Sequence, residues 1–308
     1  MIAVAGEALI DLVASDGVLR PFPGGGPFNT AVSLGRLGVP VGFLGRLSSD
    51  RFGELLYGRL ADSGVDLRYV LRGPAPTPLA VVHTTDGEAE FSFYLDGTSY
   101  ADVTAADLPA LGPDVEALHV GTLALGTDPP ASALETLIEQ SRSSRLVVVD
   151  PNVRPAVVGD RDVYRRRFER WARTAHVIKL SAADADWLYP GEALEGVADR
   201  LLELGTRLVA VTLGADGALG CSRVGRARVR APRVEVVDTV GAGDAFGAAF
   251  LRALRVAGRL GIDAVGELGD AELEEALTFA AAVGALQCAR AGAVPPSLAE
   301  VEAFLAAL

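Results

Sequence analysis

Lysine and cysteine are scarce in this chain of 308 residues. Lys179 is the only lysine, and it stands between Ile178 and Leu180. The Gly-Lys-Ser/Thr sequence of a Walker A phosphate loop is therefore excluded. The two cysteines, Cys221 and Cys288, are not spaced like metal ligands and are too few for a disulfide framework. We expect reduced thiols and a core that does not depend on cross-links.

Basic residues are also fewer than acidic ones, because the chain has 28 lysine and arginine residues and 40 aspartate and glutamate residues. The net charge of −12 argues against nucleic acid or an anionic membrane surface as a partner. The sequence has no apolar run long enough to span a membrane, and its first residues do not read as a secretory signal. We therefore expect a soluble protein with a cytoplasmic location.

Apolar, strand-like runs alternate with helix-like segments along most of the chain. The runs IAVAG, RLVVVD and HVIKLS are examples of the first kind, and PPASALETLIEQSR is an example of the second. Continuous apolar strands separated by helices are typical of parallel sheets that are covered on both faces. The sequence predicts an α/β fold with a doubly wound, mostly parallel sheet flanked by helices, and a single domain over residues 1–308.

Two segments interrupt this alternation. LIDLVASDGVLRPF and LAVVHTTDGEAEFSFYL each place an Asp-Gly pair, beginning at Asp16 and Asp86, between strand-like arms. Because Asp-Gly favours hairpin turns, we predict a small β lid in two pieces, at about 9–22 and 77–97. Three apolar residues of the second arm alternate onto one face: Phe91, Phe93 and Leu95. We expect this face to close over substrate, and the lids of two chains to form a homodimer.

The stretch DTVGAGDAF combines small residues with a carboxylate. It follows a strand-like run and opens a helix-like one, so Gly241, Ala242 and Gly243 are expected at a helix N-terminus that stabilises negative charge. A dinucleotide fingerprint does not fit, because Asp244 would repel a pyrophosphate and no second strand with an acidic end follows. Asp244 is either a capping acid or a base for a hydroxyl that attacks a phosphoryl group.

A second glycine cluster, in PFPGGGPFNTAVSLGRLG, precedes a helix-like segment near the N-terminus. Glycine lets the backbone approach a polyol, and Asn29 offers both a donor and an acceptor. Asp11 is a carboxylate in an apolar run, where it needs partners such as sugar hydroxyls. Each feature alone also fits a tight turn, a helix cap or a salt bridge. Together they predict a hydroxyl-bearing substrate opposite the phosphate.

GGGPFNTAVSLGRLG and DTVGAGDAF, in this order and at this separation, resemble the two signatures of the ribokinase-like, or PfkB, carbohydrate kinases. The resemblance extends from VAGEALIDL to ARAGAVPPSL, and it implies an ATP- and Mg²⁺-dependent sugar kinase with a β lid. It makes Asp244 the catalytic base, with Gly241, Ala242 and Gly243 as the anion hole. The resemblance also assigns six residues to sugar binding, including Phe93 of the lid and Arg154 at a strand end. They are Asp11, Gly25, Gly26, Asn29, Phe93 and Arg154.

The same resemblance places the nucleotide and the metal ions. The nucleotide residues are Lys179, Ser181, Thr212, Gly214, Gly217 and Ala281, although Lys179 also fits a surface lysine at a strand end. Ser181 and Asp184 occupy the place of the family's Asn-x-x-Glu, which organises magnesium and phosphate, and this shorter pair departs from that pattern. Asp184 is assigned to the magnesium side. Asp238, Val240 and carbonyl groups near Gly292 would hold a monovalent cation such as K⁺.

The run DPNVR bears on the choice of sugar. Asp150, Asn152 and Arg154 lie at the end of a strand-like segment, where open α/β sheets bind ligands. The run resembles fructokinases and 2-keto-3-deoxygluconate kinases more than ribokinases or adenosine kinases. An acid substrate needs positive charge, yet the second arginine of the acid-specific relatives corresponds to Leu95, followed by Asp96. The prediction is fructose, phosphorylated to fructose 6-phosphate. The alternatives are 2-keto-3-deoxygluconate, a nucleoside, or sugar binding without catalysis.

Overall fold

The computed structural model describes residues 1–15, 18–85 and 88–307. Its strands are β1 (Ile2–Ala5), β2 (Leu9–Ser15), β3 (Val18–Gly24), β4 (Val41–Ser48), β5 (Val70–Gly73), β6 (Leu79–Thr85), β7 (Glu88–Tyr94), β8 (Ala117–Gly121), β9 (Leu146–Asp150), β10 (Val177–Ser181), β11 (Leu208–Thr212), β12 (Ala218–Ser222) and β13 (Arg226–Val229). Its helices are α1 (Gly26–Arg36), α2 (Arg51–Asp62), α3 (Pro130–Ser141), α4 (Pro155–Val158), α5 (Arg161–Thr174), α6 (Ala182–Leu188), α7 (Leu194–Leu204), α8 (Ala242–Val256), α9 (Asp270–Cys288) and α10 (Leu298–Leu305). No helix in these ranges is both long enough and apolar enough to cross a membrane.

Within the described residues, nine strands form one large sheet in the order β13-β12-β11-β10-β9-β8-β1-β4-β5. The strands from β11 to β5 run parallel, whereas β12 and β13 are each antiparallel to the strand before them. The chain begins at β1 inside the sheet, extends it through β4 and β5, and later extends it in the opposite direction from β8. The predicted doubly wound, mostly parallel sheet is confirmed.

The large sheet is covered by helices on both faces. In β1, Ile2 and Val4 pack into one hydrophobic cluster with residues of α1, α2, α8 and α9. Ala3 and Ala5 of the same strand pack into a second cluster with residues of α3, α5, α6 and α7. Because successive side chains point to opposite faces, a strand buried on both faces appears as a continuous apolar run. This is why such runs located the strands correctly.

Four further strands form a second, smaller sheet in the order β3-β2-β6-β7, here called the lid sheet. The β2–β3 and β6–β7 pairs are antiparallel, and β2 is parallel to β6. These strands are the arms of the two predicted hairpins, although the Asp-Gly pairs at Asp16 and Asp86 lie outside the described residues. The division into one domain with a two-piece lid at about 9–22 and 77–97 stays a prediction.

The carboxyl ends of five parallel strands lie along one edge of the large sheet. Polar side chains occur at this edge, either as the last residue of a strand or within two residues after it: Glu7, Thr122, Asp150, Ser181 and Thr212. In open α/β sheets this edge is the usual place for a ligand. A ligand site is therefore expected in the space between these strand ends, the lid sheet and the start of α8.

Candidate active site

The first turn of α8 carries the carboxylate of Asp244. Gly241 precedes the helix with φ of 74°, a left-handed conformation that glycine adopts without strain. Asp244 is only 7% exposed. Asn29, in the first turn of α1, donates from Nδ2 to Asp244 Oδ2 at 2.9 Å. Two motifs that are far apart in sequence therefore meet at one hydrogen bond.

Burial controls the protonation of Asp244. Desolvation raises the pKa of its carboxyl to about 6, although the charge of Lys179 and the hydrogen bond from Asn29 act in the opposite direction. A carboxyl group with a pKa close to the working pH can both take up and release a proton. The hydrogen-bond partner of its carboxylate is Asn29 on another helix. This geometry favours a base over a capping acid.

Backbone N–H groups at the start of α8 form the positive end of the helix dipole. The N–H of Ala242 donates to the carbonyl of Thr239 at 3.2 Å, so it is already engaged. Among the described residues, the N–H groups of Gly241 and Gly243 donate to no backbone acceptor. Donors of this kind at a helix N-terminus bind anions. Of the three residues predicted to form the anion hole, the two glycines therefore keep their donors available.

Lys179 is buried beside the start of α8. Its Nζ lies 2.7 Å from Asp150 Oδ2, and both side chains are buried. A Cβ atom added at Gly243 would lie 3.2 Å from this ammonium group. Burial opposes the charged form of Lys179, but the charge and hydrogen bond of Asp150 outweigh that effect and raise the pKa of Lys179. The alternative of a surface lysine is wrong, because the strand end lies under α8.

A cavity of about 340 Å³, here called the lid cavity, is lined by residues of both the lid sheet and α8. Its lining includes all six residues that the sequence assigned to the sugar: Asp11, Gly25, Gly26, Asn29, Phe93 and Arg154. A Cβ atom at Gly26 would lie 3.3 Å from Asp244 Oδ1, so glycine leaves this oxygen open. Desolvation, followed by the charge of Asp244, raises the pKa of Asp11 to about 7.

A second cavity of about 500 Å³, here called the α9 cavity, also borders the N-terminus of α8. Four residues predicted to bind the nucleotide line it: Thr212, Gly214, Gly217 and Ala281. The other two, Lys179 and Ser181, line the lid cavity. Gly243 and Thr239 line both cavities. A group bound in one cavity would therefore meet a group bound in the other beside Gly243, one residue from Asp244.

Glu7 is a residue of this site that the sequence analysis missed. It is the second residue after β1 and is buried. Its carboxylate accepts hydrogen bonds from the N–H groups of Gly26, Thr122 and Ala124 and from the Thr122 hydroxyl. Glu7 thereby ties the glycine turn before α1 to the loop after β8. A carboxylate in a largely apolar stretch was the available signal, as it was for Asp11.

Ser181 and Asp184 form a capping box at the N-terminus of α6. One oxygen of Asp184 accepts from the N–H and hydroxyl of Ser181 at 2.8 and 2.7 Å, and the other accepts from the N–H of Val153 at 2.7 Å. In the part of the chain that the structure describes, no cluster of three or more His, Cys, Asp or Glu could hold a metal. Magnesium needs fewer protein ligands when it arrives with phosphates. Among the described residues, Asp150 Oδ1 is buried without a hydrogen-bond partner, and Asp184 Oδ1 accepts only from Val153, so each carboxylate keeps an acceptor for that role.

The loop predicted to hold a monovalent cation is closed by side-chain hydrogen bonds. Asp238 accepts from the N–H groups of Val240 at 3.0 Å and Gly292 at 2.8 Å. The Gln287 side chain of α9 donates from Nε2 to the carbonyl oxygens of Val240 at 3.1 Å and Gly292 at 2.7 Å. Carbonyl groups expected to bind the cation are therefore engaged by an amide nitrogen. The residues present here do not fit a bound cation.

The chain also matches a known protein family. The model of the pfkB family of carbohydrate kinases matches residues 1–300. The chain belongs to the pfkB family. The resemblance stated from the two glycine-rich motifs is confirmed, and so is the ribokinase-like α/β fold.

Fructokinases are among the pfkB relatives that the chain resembles. The fructokinase of Rhizobium leguminosarum bv. trifolii is 39% identical over 261 residues, covering 83% of this chain and 80% of that protein. The ATP-bound fructokinase of Xylella fastidiosa superposes with a TM-score of 0.90 and 30% identity, covering 99% and 98% of the two chains. A double mutant of Vibrio cholerae fructokinase, bound to fructose, ADP and potassium, superposes with a TM-score of 0.87 and 28% sequence identity. The superposition covers 99% of this chain and 97% of that chain.

The buried pair under α8 generates a stability prediction. Lys179→Met keeps most of the side-chain volume but leaves Asp150 charged and without its partner. We expect the free energy of unfolding, measured with urea at about pH 8, to fall by about 3 kcal/mol or more. Lys179→Met/Asp150→Asn removes both charges of the pair and should regain a large part of the loss, whereas the part due to Asp244, which loses the nearby Lys179 charge, remains. A loss below about 1 kcal/mol in the single variant, or no recovery in the double variant, would contradict this reading of the pair.

Proposed function

We propose that this protein is an ATP-dependent fructokinase, which transfers the γ-phosphoryl group of ATP to the C6 hydroxyl of fructose. The position of Asp244 carries the proposal: its carboxylate lines the lid cavity, and the adjacent Gly243 lines both cavities. Fructose in the lid cavity and ATP in the α9 cavity would meet there. The similarity to fructokinases supports the choice of substrate.

In the proposed reaction Asp244 is the general base. The proton of the C6 hydroxyl passes to the carboxylate while the hydroxyl oxygen forms a bond to the γ-phosphorus. The bond from this phosphorus to the β–γ bridging oxygen breaks, and that oxygen keeps the electron pair as ADP leaves. Asn29 holds Asp244 Oδ2. The other oxygen lies near Gly26, where any side chain would crowd it, so glycine keeps this oxygen accessible to the hydroxyl.

Positive charge stabilises the phosphoryl group during its transfer. The N–H group of Gly243 lies at the positive end of the α8 dipole, and donors fixed in this way cost no reorganisation in the transition state. Lys179 adds a full charge beside Gly243, and its ion pair with Asp150 keeps it in position. A bound Mg²⁺ would neutralise phosphate charge, with Asp150 and Asp184 as the carboxylates available to hold it.

The remaining lid-cavity residues fit a sugar. The carboxylate of Asp11 and the amide of Asn29 provide acceptors and a donor for hydroxyl groups, and Gly25 lets the backbone approach them. Phe93 lies in the same cross-strand row of the lid sheet as Asp11 and adds an apolar ring to the lining. A lining that combines polar groups with an apolar ring suits a polyol that must be held out of water. Sugar hydroxyls would also give the half-buried Asp11 hydrogen-bond partners that the described residues do not provide.

The charges of the lid cavity favour a neutral sugar over an acid. Asp11 and Asp244 both line it, and the charge of Asp244 contributes to the raised pKa of Asp11. Arg154 also lines it, but its Nη1 donates to Asn152 Oδ1 at 2.6 Å and to two nearby carbonyl groups. A substrate carboxylate would have to compete for this arginine and face two aspartates. Fructose avoids that cost, whereas 2-keto-3-deoxygluconate does not.

We further propose a homodimer joined through the lid sheets and a cytoplasmic location. β3 and β7 are the edge strands of the lid sheet. Val18, Leu19 and Tyr94 on these strands are 54%, 53% and 60% exposed. Apolar side chains on an exposed edge favour pairing with another chain. Cys221 and Cys288 are both free thiols, which suits a reducing compartment.

Asp244→Asn tests the catalytic role. The substitution keeps the shape of the side chain but removes its ability to take a proton. We expect kcat for fructose to fall by about 10² to 10⁴, the usual effect of losing a general base, while calorimetry shows near-normal ATP and fructose binding. The exposed Asp96→Asn provides a matched control and should keep wild-type turnover. A variant at position 244 that keeps more than about a tenth of wild-type kcat would show that Asp244 is not the base.

Substrate choice is tested by comparing two sugars in a coupled assay of ADP release. We expect kcat/KM for fructose to exceed that for 2-keto-3-deoxygluconate by about tenfold or more, because an under-paired carboxylate costs at least about 1.4 kcal/mol in this cavity. The product should be fructose 6-phosphate. Preference for the acid would overturn the choice of fructose, and ATP-independent sugar binding without turnover would indicate a protein that has lost catalysis.

A further inference from the structure

Gln287 connects the end of α9 to the loop that leads into α8. Its side chain is completely buried, with 0% exposure. Nε2 donates to the carbonyl oxygens of Val240 at 3.1 Å and Gly292 at 2.7 Å. Val240 directly precedes Gly241, the residue that caps α8. One amide group therefore fixes the backbone beside the anion-binding N–H groups.

The orientation of this amide is determined by its neighbours. Turning the group over would place Oε1 against two carbonyl oxygens, and like partial charges repel. Oε1 itself has no hydrogen-bond partner among the described residues, so the two donor contacts decide the orientation. Asp238 completes the arrangement, because its carboxylate accepts from the N–H groups of Val240 and Gly292. Protein groups alone therefore make these links between the two loops.

We propose that the Gln287 amide takes the place of a monovalent cation in this kinase, so that turnover does not depend on K⁺. A K⁺ ion is held by carbonyl oxygens that replace its hydration shell. Here the carbonyl groups of Val240 and Gly292 already hold Nε2 within 3.1 Å. A cation at the same position would overlap the amide nitrogen. The amide hydrogens supply the positive partial charge that these oxygens need, and they stay attached to the protein.

The wild-type protein provides the first test. Turnover and the midpoint of thermal unfolding are compared in K⁺ and in tetramethylammonium, which is too large for such a site, at the same ionic strength of about 100 mM. We expect kcat to differ by less than about twofold and the midpoint to show no K⁺-specific rise. A saturable activation by K⁺ of about twofold or more, or a K⁺-specific rise of the midpoint, would overturn the proposal.

Variants at position 287 test the residue itself. Gln287→Ala frees the two carbonyl groups and leaves space, so kcat without K⁺ should fall by about tenfold, and K⁺ should restore most of it and raise the unfolding midpoint. Gln287→Leu fills the space without a donor and should not respond to K⁺. An alanine variant that needs no cation, or one that K⁺ neither activates nor stabilises, would show that Gln287 is not a substitute. If that variant does not fold, the wild-type comparison decides alone.

The turnover measurements rest on the proposed function, since they follow the phosphorylation of fructose. The two failures are nevertheless distinguishable. If fructose is not the substrate, no ADP is released in either cation, while the unfolding midpoints still report whether K⁺ binds. If the Gln287 proposal fails, turnover is present and responds to K⁺.

Discussion

A carboxylate kept out of water at the start of a helix is the constraint on which this site depends. Burying Asp244 raises its pKa, and burial without compensation would neutralise the group entirely. Asn29 and the nearby Lys179 lower the cost of its negative charge. Lys179 is itself buried and is kept charged by Asp150. Asp244, Lys179 and Asp150 therefore compensate one another's charges from α8 to the centre of the large sheet, and the pKa of Asp244 is about 6.

The doubly wound sheet explains how these groups come together. Asp150 ends β9 and Lys179 lies near the end of the adjacent strand β10, so parallel pairing places their side chains next to each other. Glu7 after β1 anchors the turn that presents Asn29. Each group depends on a neighbouring strand or helix for its position. The lid sheet then adds Asp11 from the side opposite the strand ends, which completes a cavity with both polar and apolar walls.

Local patterns were sufficient to predict much of this molecule. The strands could be recognised because burial on both faces makes them apolar throughout, and the glycine motifs identified the turns before α1 and α8. Pairings between distant segments could not be predicted in the same way. The sequence contains Gln287 and Glu7 without any pattern that names their partners, because those partners are backbone groups brought close only by the fold. Lys179 was ambiguous for the same reason, since its burial depends on where α8 lies.

The pH dependence of kcat for fructose tests the central role of Asp244 most directly. Because burial raises the pKa of Asp244 to about 6, the base is ionised above this pH and protonated below it. The account predicts that wild-type kcat falls about tenfold per unit below pH 6 and is level above it, and that the residual turnover of Asp244→Asn lacks this dependence. A wild-type profile that stays flat down to about pH 4.5, or an acid limb that survives in Asp244→Asn, would contradict it.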